Sequence, residues 1–158
     1  MPIYNDNRMF LFHPEMRRVI AQGLADIVQA EGISPEVVAG TATAGIPHGA
    51  LLADLLALPY IYIRDKPKAH GLKNRIEGLD AESDLEGRRV VVIEDLISTG
   101  GSSARAVEAV REAKGDCTWC LSIFSYGLEK AEEEFGALTP PCSYTSLLTF
   151  PILLETCL

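Results

Sequence analysis

Two stretches of the sequence hold side chains of types and spacing suited to chemistry. The first is Glu94-Asp95, followed by Leu96-Ile97 and then Ser98-Thr99-Gly100-Gly101-Ser102. Two adjacent carboxylates at the end of an apolar run are costly unless they bind something polar, and sugar hydroxyls or Mg2+-linked water would fit. The hydroxyl-rich, glycine-paired turn after them leads into a helix start, where unpaired N–H groups and the helix dipole favour a phosphate. It is neither the G-x-x-x-x-G-K-S/T of a P-loop nor a G-x-G-x-x-G dinucleotide turn. The second stretch is Arg64 to Arg75, where Arg64, Lys66, Lys68, Lys73 and Arg75 face only Asp65. That is a local charge of +4 in a chain of net charge −8, which leaves −12 on the remainder. A compact cationic stretch on an acidic body suits a small, highly charged anion, whereas the overall charge repels nucleic acid.

The elements that must position these residues follow from hydrophobic period. Pro14 to Gly32 predicts a helix, with Met16, Val19, Ile20, Leu24, Ile27 and Val28 at three- and four-residue spacing and Gly32 as its stop. Val37 to Gly40 predicts a short buried strand, ahead of the small-residue loop Thr41-Ala42-Thr43-Ala44-Gly45. Pro47 opens a helix carrying Leu51, Leu52, Leu55 and Leu56, and Tyr60 to Ile63 reads as a strand. From Arg64 to about Ser83 the chain is polar and without period, a long connection of the kind that serves as a functional loop. Val90-Val91-Val92-Ile93 is a β-branched run expected to be covered on both faces. A helix follows, with Ala106, Val107, Ala109, Val110 and Ala113 inward and Gly115 past its end, then a strand over Cys117 to Phe124 and a helix over Leu128 to Phe135. Alternating strands and helices predict a parallel α/β sheet with right-handed crossovers, and ligands at the carboxyl ends of its strands. The loops after Gly40 and Asp95 fall at such ends.

Composition narrows the classes. With 47% hydrophobic and 23% charged residues over 158, wholesale disorder is excluded and one domain is expected. No uncharged apolar stretch approaches the roughly 18 residues of a membrane helix, and no apolar signal core opens the chain, so a cytoplasmic protein is expected. Cys117 and Cys120 form a C-x-x-C, but on a strand residues three apart face opposite sides, which argues against a shared metal ion. His13 reads as a helix-entry residue, His48 as lining the helix after the small-residue loop, and Trp119 as packing.

Val90-Val91-Val92-Ile93-Glu94-Asp95-Leu96-Ile97-Ser98-Thr99-Gly100-Gly101-Ser102 resembles the phosphoribosyl-pyrophosphate (PRPP) motif of type I phosphoribosyltransferases. Ile63-Arg64-Asp65-Lys66-Pro67-Lys68-Ala69-His70-Gly71, continuing to Asn74, Ile76, Glu77 and Gly78, is similar to the mobile catalytic loop of the orotate phosphoribosyltransferases. Gly40 to Pro47 resembles their pyrophosphate loop, and Pro2 to Arg8 the strand after their N-terminal region. The likeness runs in order up to about Phe135.

The resemblance implies a Rossmann-like parallel sheet flanked by helices, in one domain over 1–158. In it, 1–12 is a remnant of the N-terminal segment and 64–83 the mobile loop. It implies Mg2+-dependent transfer of phosphoribose from PRPP to orotate, giving orotidine 5′-phosphate and pyrophosphate in pyrimidine nucleotide synthesis. Glu94 and Asp95 are expected on the ribose hydroxyls, with Asp95 counted in the catalytic set. Ser98, Thr99, Gly100, Gly101 and Ser102 are expected on the 5-phosphate, and Thr43, Ala44 and Gly45 on the pyrophosphate. Arg64, Lys68 and His70, with Lys66, are expected to steady the departing diphosphate. Mg2+ is carried mainly by PRPP, with Glu94 and Asp95 as the candidate protein oxygens. The family's loop reaches the neighbouring subunit's site, which implies a homodimer; neither nucleic acid nor membrane is an expected partner.

The sequence departs from the family where the base is held. The hood that precedes Pro-Ile-Tyr is expected to be reduced or absent, and Tyr126 stands where one branch has an Arg for the orotate carboxylate. Asp65 occupies a position that is Lys in that branch, and Ala44 stands where others have Gly or Lys. Tyr126 at a strand end is then expected to edge the base pocket. The alternatives are a truncated PRPP- or nucleotide-binding relative that regulates or interacts without transferring orotate, and transfer to another base.

Overall fold

The structure, a computed structural model, describes residues 4–67, 75–80 and 82–157. A 3-10 turn over Asn7–Phe12 leads into helix α1, Pro14–Ala30. Strand β1, Val37–Thr41, is followed by helix α2, Gly45–Leu56, and strands β2, Tyr60–Ile63, and β3, Ile76–Glu77. Then come β4, Arg89–Ile97; α3, Gly101–Glu112; β5, Asp116–Ser125; and α4, Glu129–Gly136. Strand β6, Ser143–Thr149, and helix α5, Phe150–Cys157, complete the order.

The six strands form one sheet in the order β3-β2-β1-β4-β5-β6, parallel throughout except where β3 runs antiparallel to β2. Because β4 carries alternate side chains to opposite faces, its β-branched run fills two cores at once. Val91 and Ile93 pack with Val38 and Leu121 against Ile20, Leu24 and Val28 of α1 and Leu52 of α2. Val90 and Val92 pack with Ile61, Ile63 and Cys120 against Val107 and Val110 of α3 and Phe135 of α4. Residues such as Leu24, Val92 and Val107 have no exposure at all, and each contributes about 1.5–3 kcal/mol by leaving water.

Several sequence expectations need correction. The helix of Pro14 ends at Ala30, with Gly32 beyond it at φ 64°, but Val19 is 63% exposed rather than inward. Helix α2 begins at Gly45, two residues before Pro47, and its Leu55 is half exposed. The 64–83 stretch is not structureless: Ile76 and Glu77 pair with Ile63 and Tyr62. Arg64 N–H donates to the Arg75 carbonyl at 2.7 Å, and the Arg75 guanidinium donates to the Arg64 and Asp65 carbonyls. The thiols of Cys117 and Cys120 do not face opposite sides. Arg89 is opposite Asp116 but Val91 is opposite Trp119, so three residues of β5 span two of β4. That bulge puts Cys117 and Cys120 on one face, in one core with Cys142.

Candidate active site

The sheet order reverses direction between β1 and β4, and a crevice opens there beyond the strand ends, where open α/β sheets take their ligands. A cavity of about 580 Å³ occupies it. Thr43 and Ala44 line one side, Glu94 and Asp95 another, and Tyr4, Asn5 and Arg8 of the N-terminal segment a third.

Sequence decides each wall. After Thr41 the chain turns through Ala42 and Thr43 straight into α2, because Gly45 has no Cβ to collide with β4. A methyl there would meet the Thr41 hydroxyl and lie 2.6 Å from the Ile93 carbonyl oxygen. On the other side β4 runs on to Ile97, so Glu94 and Asp95 are strand residues paired alongside β5, not the start of a loop. Both line the cavity, but they differ in burial: Glu94 is 8% exposed, whereas Asp95 is only half-buried. The Glu94 carboxylate accepts from the Thr41 hydroxyl at 2.7 Å and from its neighbour Asp95 N–H at 3.1 Å through one oxygen. Its other oxygen accepts from the Ser103 hydroxyl at 3.1 Å. Burial pushes its pKa up to about 8, against the pull of the Thr41 hydrogen bond.

Both helices that begin at this edge have bare N-termini. Neither α2 nor α3 has a side-chain cap or an acidic residue in its first turn. The N-cap of α3 is Gly100, at φ 82°, a left-handed conformation that glycine adopts without strain. Their free N–H groups and positive dipole ends are therefore available to an anion. Ser98, Thr99 and Ser102 are exposed beside the α3 start, and Thr43 is exposed beside α2. The 98–102 turn does not line the cavity with the acidic pair but stands next to it.

The remaining expected residues fall in different places. Arg64 points its guanidinium at Glu77 Oε1, 3.1 Å away, and Lys66 is exposed. Lys68 and His70 lie outside the described residues. Tyr126 does not line the cavity: its ring sits edge-on to Phe124 and its hydroxyl accepts from Asn5 N–H at 3.3 Å. It thus acts on the cavity wall through Asn5. His48 is 1% exposed, and its Nδ1 is the buried side-chain polar atom left without a partner among the described residues. Desolvation lowers its pKa, opposed by the nearby Asp95 charge. Among the described residues no group of three or more His, Cys, Asp or Glu is placed to hold a metal ion.

Sequence reasoning missed Thr41, Ser103 and Asn7. Asn7 is buried and donates from Nδ2 to the Asp95 carbonyl at 2.8 Å, so it fastens the N-terminal segment to the acidic strand. Asn7 stands among the polar residues Asn5, Asp6 and Arg8, so nothing in the sequence marked it as the one to be buried.

The crevice lies at a strand-order switch, with an acidic pair on its central strand and a bare helix start after it. The phosphoribosyl transferase domain family matches residues 7–136, and the chain belongs to the phosphoribosyltransferase family. Its relatives narrow that class to the orotate phosphoribosyltransferases. The one from Staphylococcus saprophyticus is 54% identical over 140 residues, 89% of this chain and 67% of its own length. The one from Bacillus subtilis is 50% identical over 157 residues, 99% of this chain and 70% of its own length. Among solved structures, the orotate phosphoribosyltransferase from Aeropyrum pernix superposes with a TM-score of 0.81 at 28% identity, covering 98% of this chain and 82% of that one. The fold is the type I phosphoribosyltransferase fold.

Proposed function

We propose that this protein transfers phosphoribose from PRPP to orotate, releasing pyrophosphate and forming orotidine 5′-phosphate for pyrimidine nucleotide synthesis. The observation that carries the reading is the pairing of Asp95, open to the cavity, with the bare N-terminus of α3 beyond it. Together they offer an acceptor for sugar hydroxyls and a cradle for the 5-phosphate on one ligand. Identities of about 50% to orotate enzymes support orotate as the acceptor base.

Breaking the bond from C1 to pyrophosphate builds positive charge on the ribose and negative charge on the leaving diphosphate. Asp95 lies where it can hold the ribose hydroxyls and face the positive charge. The α2 N-terminus at Thr43 to Gly45 faces the leaving group. Lys68, His70, Lys66 and Arg64 follow from sequence as its cationic partners, each such group worth about 3–4 kcal/mol in the transition state. Two adjacent carboxylates, one of them largely occupied, suit a Mg2+ ion held mainly by the substrate's own oxygens. Asp95, with Glu94 behind it, would be the protein's contribution, and the ion would supply charge neutralisation on the diphosphate.

The reading extends to a cytoplasmic homodimer in which one catalytic domain spans the chain and the 64–83 loop serves the partner's site. Met9, Phe12, Val19 and Leu55 are each half or more exposed, which supports a covered face. Among the described residues no helix is long and apolar enough to cross a membrane. The test is direct: purified protein with orotate, PRPP and Mg2+ should lose orotate absorbance, and Asp95→Asn should abolish most of that rate. No loss of absorbance with the parent protein refutes the reading.

A further inference from the structure

Glu94 is tied from two sides by hydroxyls on different elements. Thr41 is the last residue of β1, directly before the turn into α2, and Ser103 is the third residue of α3, directly after the hydroxyl-rich turn. Both are buried, at 5% and 2% exposure. A carboxyl group has about four hydrogen-bonding positions, whether it is ionised or carries a proton. Three are taken here: Thr41 Oγ1 at 2.7 Å and Asp95 N at 3.1 Å on Oε1, and Ser103 Oγ at 3.1 Å on Oε2. The fourth is on Oε2, and the neighbouring Asp95 carboxyl also acts on Glu94 by hydrogen bond and by charge.

We propose that Thr41 and Ser103 are positioning residues for the ribose. They lock Glu94 so that it offers one hydrogen-bonding position to one sugar hydroxyl, while the less buried Asp95 takes the other. The inference rests on the PRPP reading of the site. It deepens that reading by assigning two side chains that touch no substrate. Geometry gives the pair a further consequence. The Ser103 bond fixes the distance between the carboxylate and the start of α3, and the Thr41 bond fixes the loop before α2 to the same carboxylate. Ribose hydroxyls, 5-phosphate and pyrophosphate are therefore read against one buried group. Without either hydroxyl the carboxyl group gains a free torsion and loses a hydrogen-bond partner in a desolvated position.

The test uses Thr41→Val, which keeps the side-chain shape without the hydroxyl, Thr41→Ser, which restores it, and Ser103→Ala on a separate element. Calorimetry with PRPP and Mg2+ and steady-state kinetics with both substrates are the readouts. A buried polar group left without a partner costs about 1–3 kcal/mol, so Kd and KM for PRPP should rise about fivefold or more in Thr41→Val and in Ser103→Ala. KM for orotate should stay within about twofold, and Thr41→Ser should recover most of the PRPP affinity. If Thr41→Val does not fold, Ser103→Ala decides. PRPP affinity within about twofold of the parent in the folded variants overturns the proposal. So does an equal rise in KM for both substrates. A parent protein that binds no PRPP overturns the site reading itself, a result distinct from either.

Discussion

Gly45→Ala is the sharpest perturbation of this site, because it adds one methyl at a position with no room. The new Cβ would contact the Thr41 hydroxyl and lie 2.6 Å from the Ile93 carbonyl oxygen and 3.4 Å from Glu94 Cα. Carbon normally stays at about 3.3 Å or more from such an oxygen, so α2 must withdraw from β4 by well over half an ångström. Backbone is the obstacle on the β4 side, and no rotamer change relieves it. Overpacking of this kind costs about 1–3 kcal/mol. Displacing the Thr41 hydroxyl from Glu94 adds about 1–3 kcal/mol for a buried group left short of a partner. The sum of about 2–6 kcal/mol corresponds to a drop of roughly 5–20 °C in Tm for a chain of this size. Thermal unfolding followed by circular dichroism reads it. Gly101→Ala is the matched control: its Cβ would meet only Arg105 Nη1, at an ordinary 3.5 Å, and its Tm should move by no more than about 2 °C. A Gly45→Ala protein melting within about 2 °C of the parent would refute the account of α2 as seated directly on β4.

Glu94 also makes stability depend on pH. Its pKa rises from an ordinary 4.5 to about 8 on folding, so between those values the native state keeps a proton that the unfolded chain has released. Stability contributed by this group is therefore lost as pH rises from about 4.5 to about 8, and Glu94→Gln should flatten that slope in urea titrations; an unchanged slope contradicts the assignment. Tyr126→Phe removes the acceptor for Asn5 N–H, worth about 1 kcal/mol, and should raise KM for orotate about fivefold while leaving KM for PRPP unchanged. A change confined to PRPP would place Tyr126 on the wrong side of the site. Lys68→Ala should lower turnover about 100-fold or more while PRPP binding weakens far less; equal losses in both would remove Lys68 from the transition state.

The sheet was readable wherever burial imposed period. Val90 to Ile93 announced itself because both faces of β4 are covered, and α1 because Ile20, Leu24 and Val28 share a stripe. The run stopped being readable at Glu94, since charged residues inside a strand resemble a loop until the partner is known. Here β5 continues pairing as far as Ile97 opposite Ser125. Strand β3 is two residues long and exists only through Tyr62 and Ile63, so no local pattern could reveal it. The acidic pair and the turn after it were legible as types. Their division into one buried and one more open carboxyl was not, because it depends on Thr41 and Ser103 closing over Glu94 from other elements. The ties to Thr41 and Asn7 join residues 53 and 88 positions apart, and such contacts leave no trace in spacing.

The bulge that brings Cys117 and Cys120 to one side of the sheet leaves the four cysteines sharply divided. Cys117, Cys120 and Cys142 are buried together, and Cys157 alone is exposed. The hydrogen bond with Cys142 and burial hold the Cys117 thiol well above its usual range, and burial does the same for Cys120; Cys142, lowered by that same hydrogen bond, is kept from reagents by its burial. A colorimetric thiol reagent should therefore titrate one group on the native protein at once and the other three only as β5 and β6 come apart. The chain carries its own chemical gauge of opening, one that needs no added label and follows the strands behind the acidic pair.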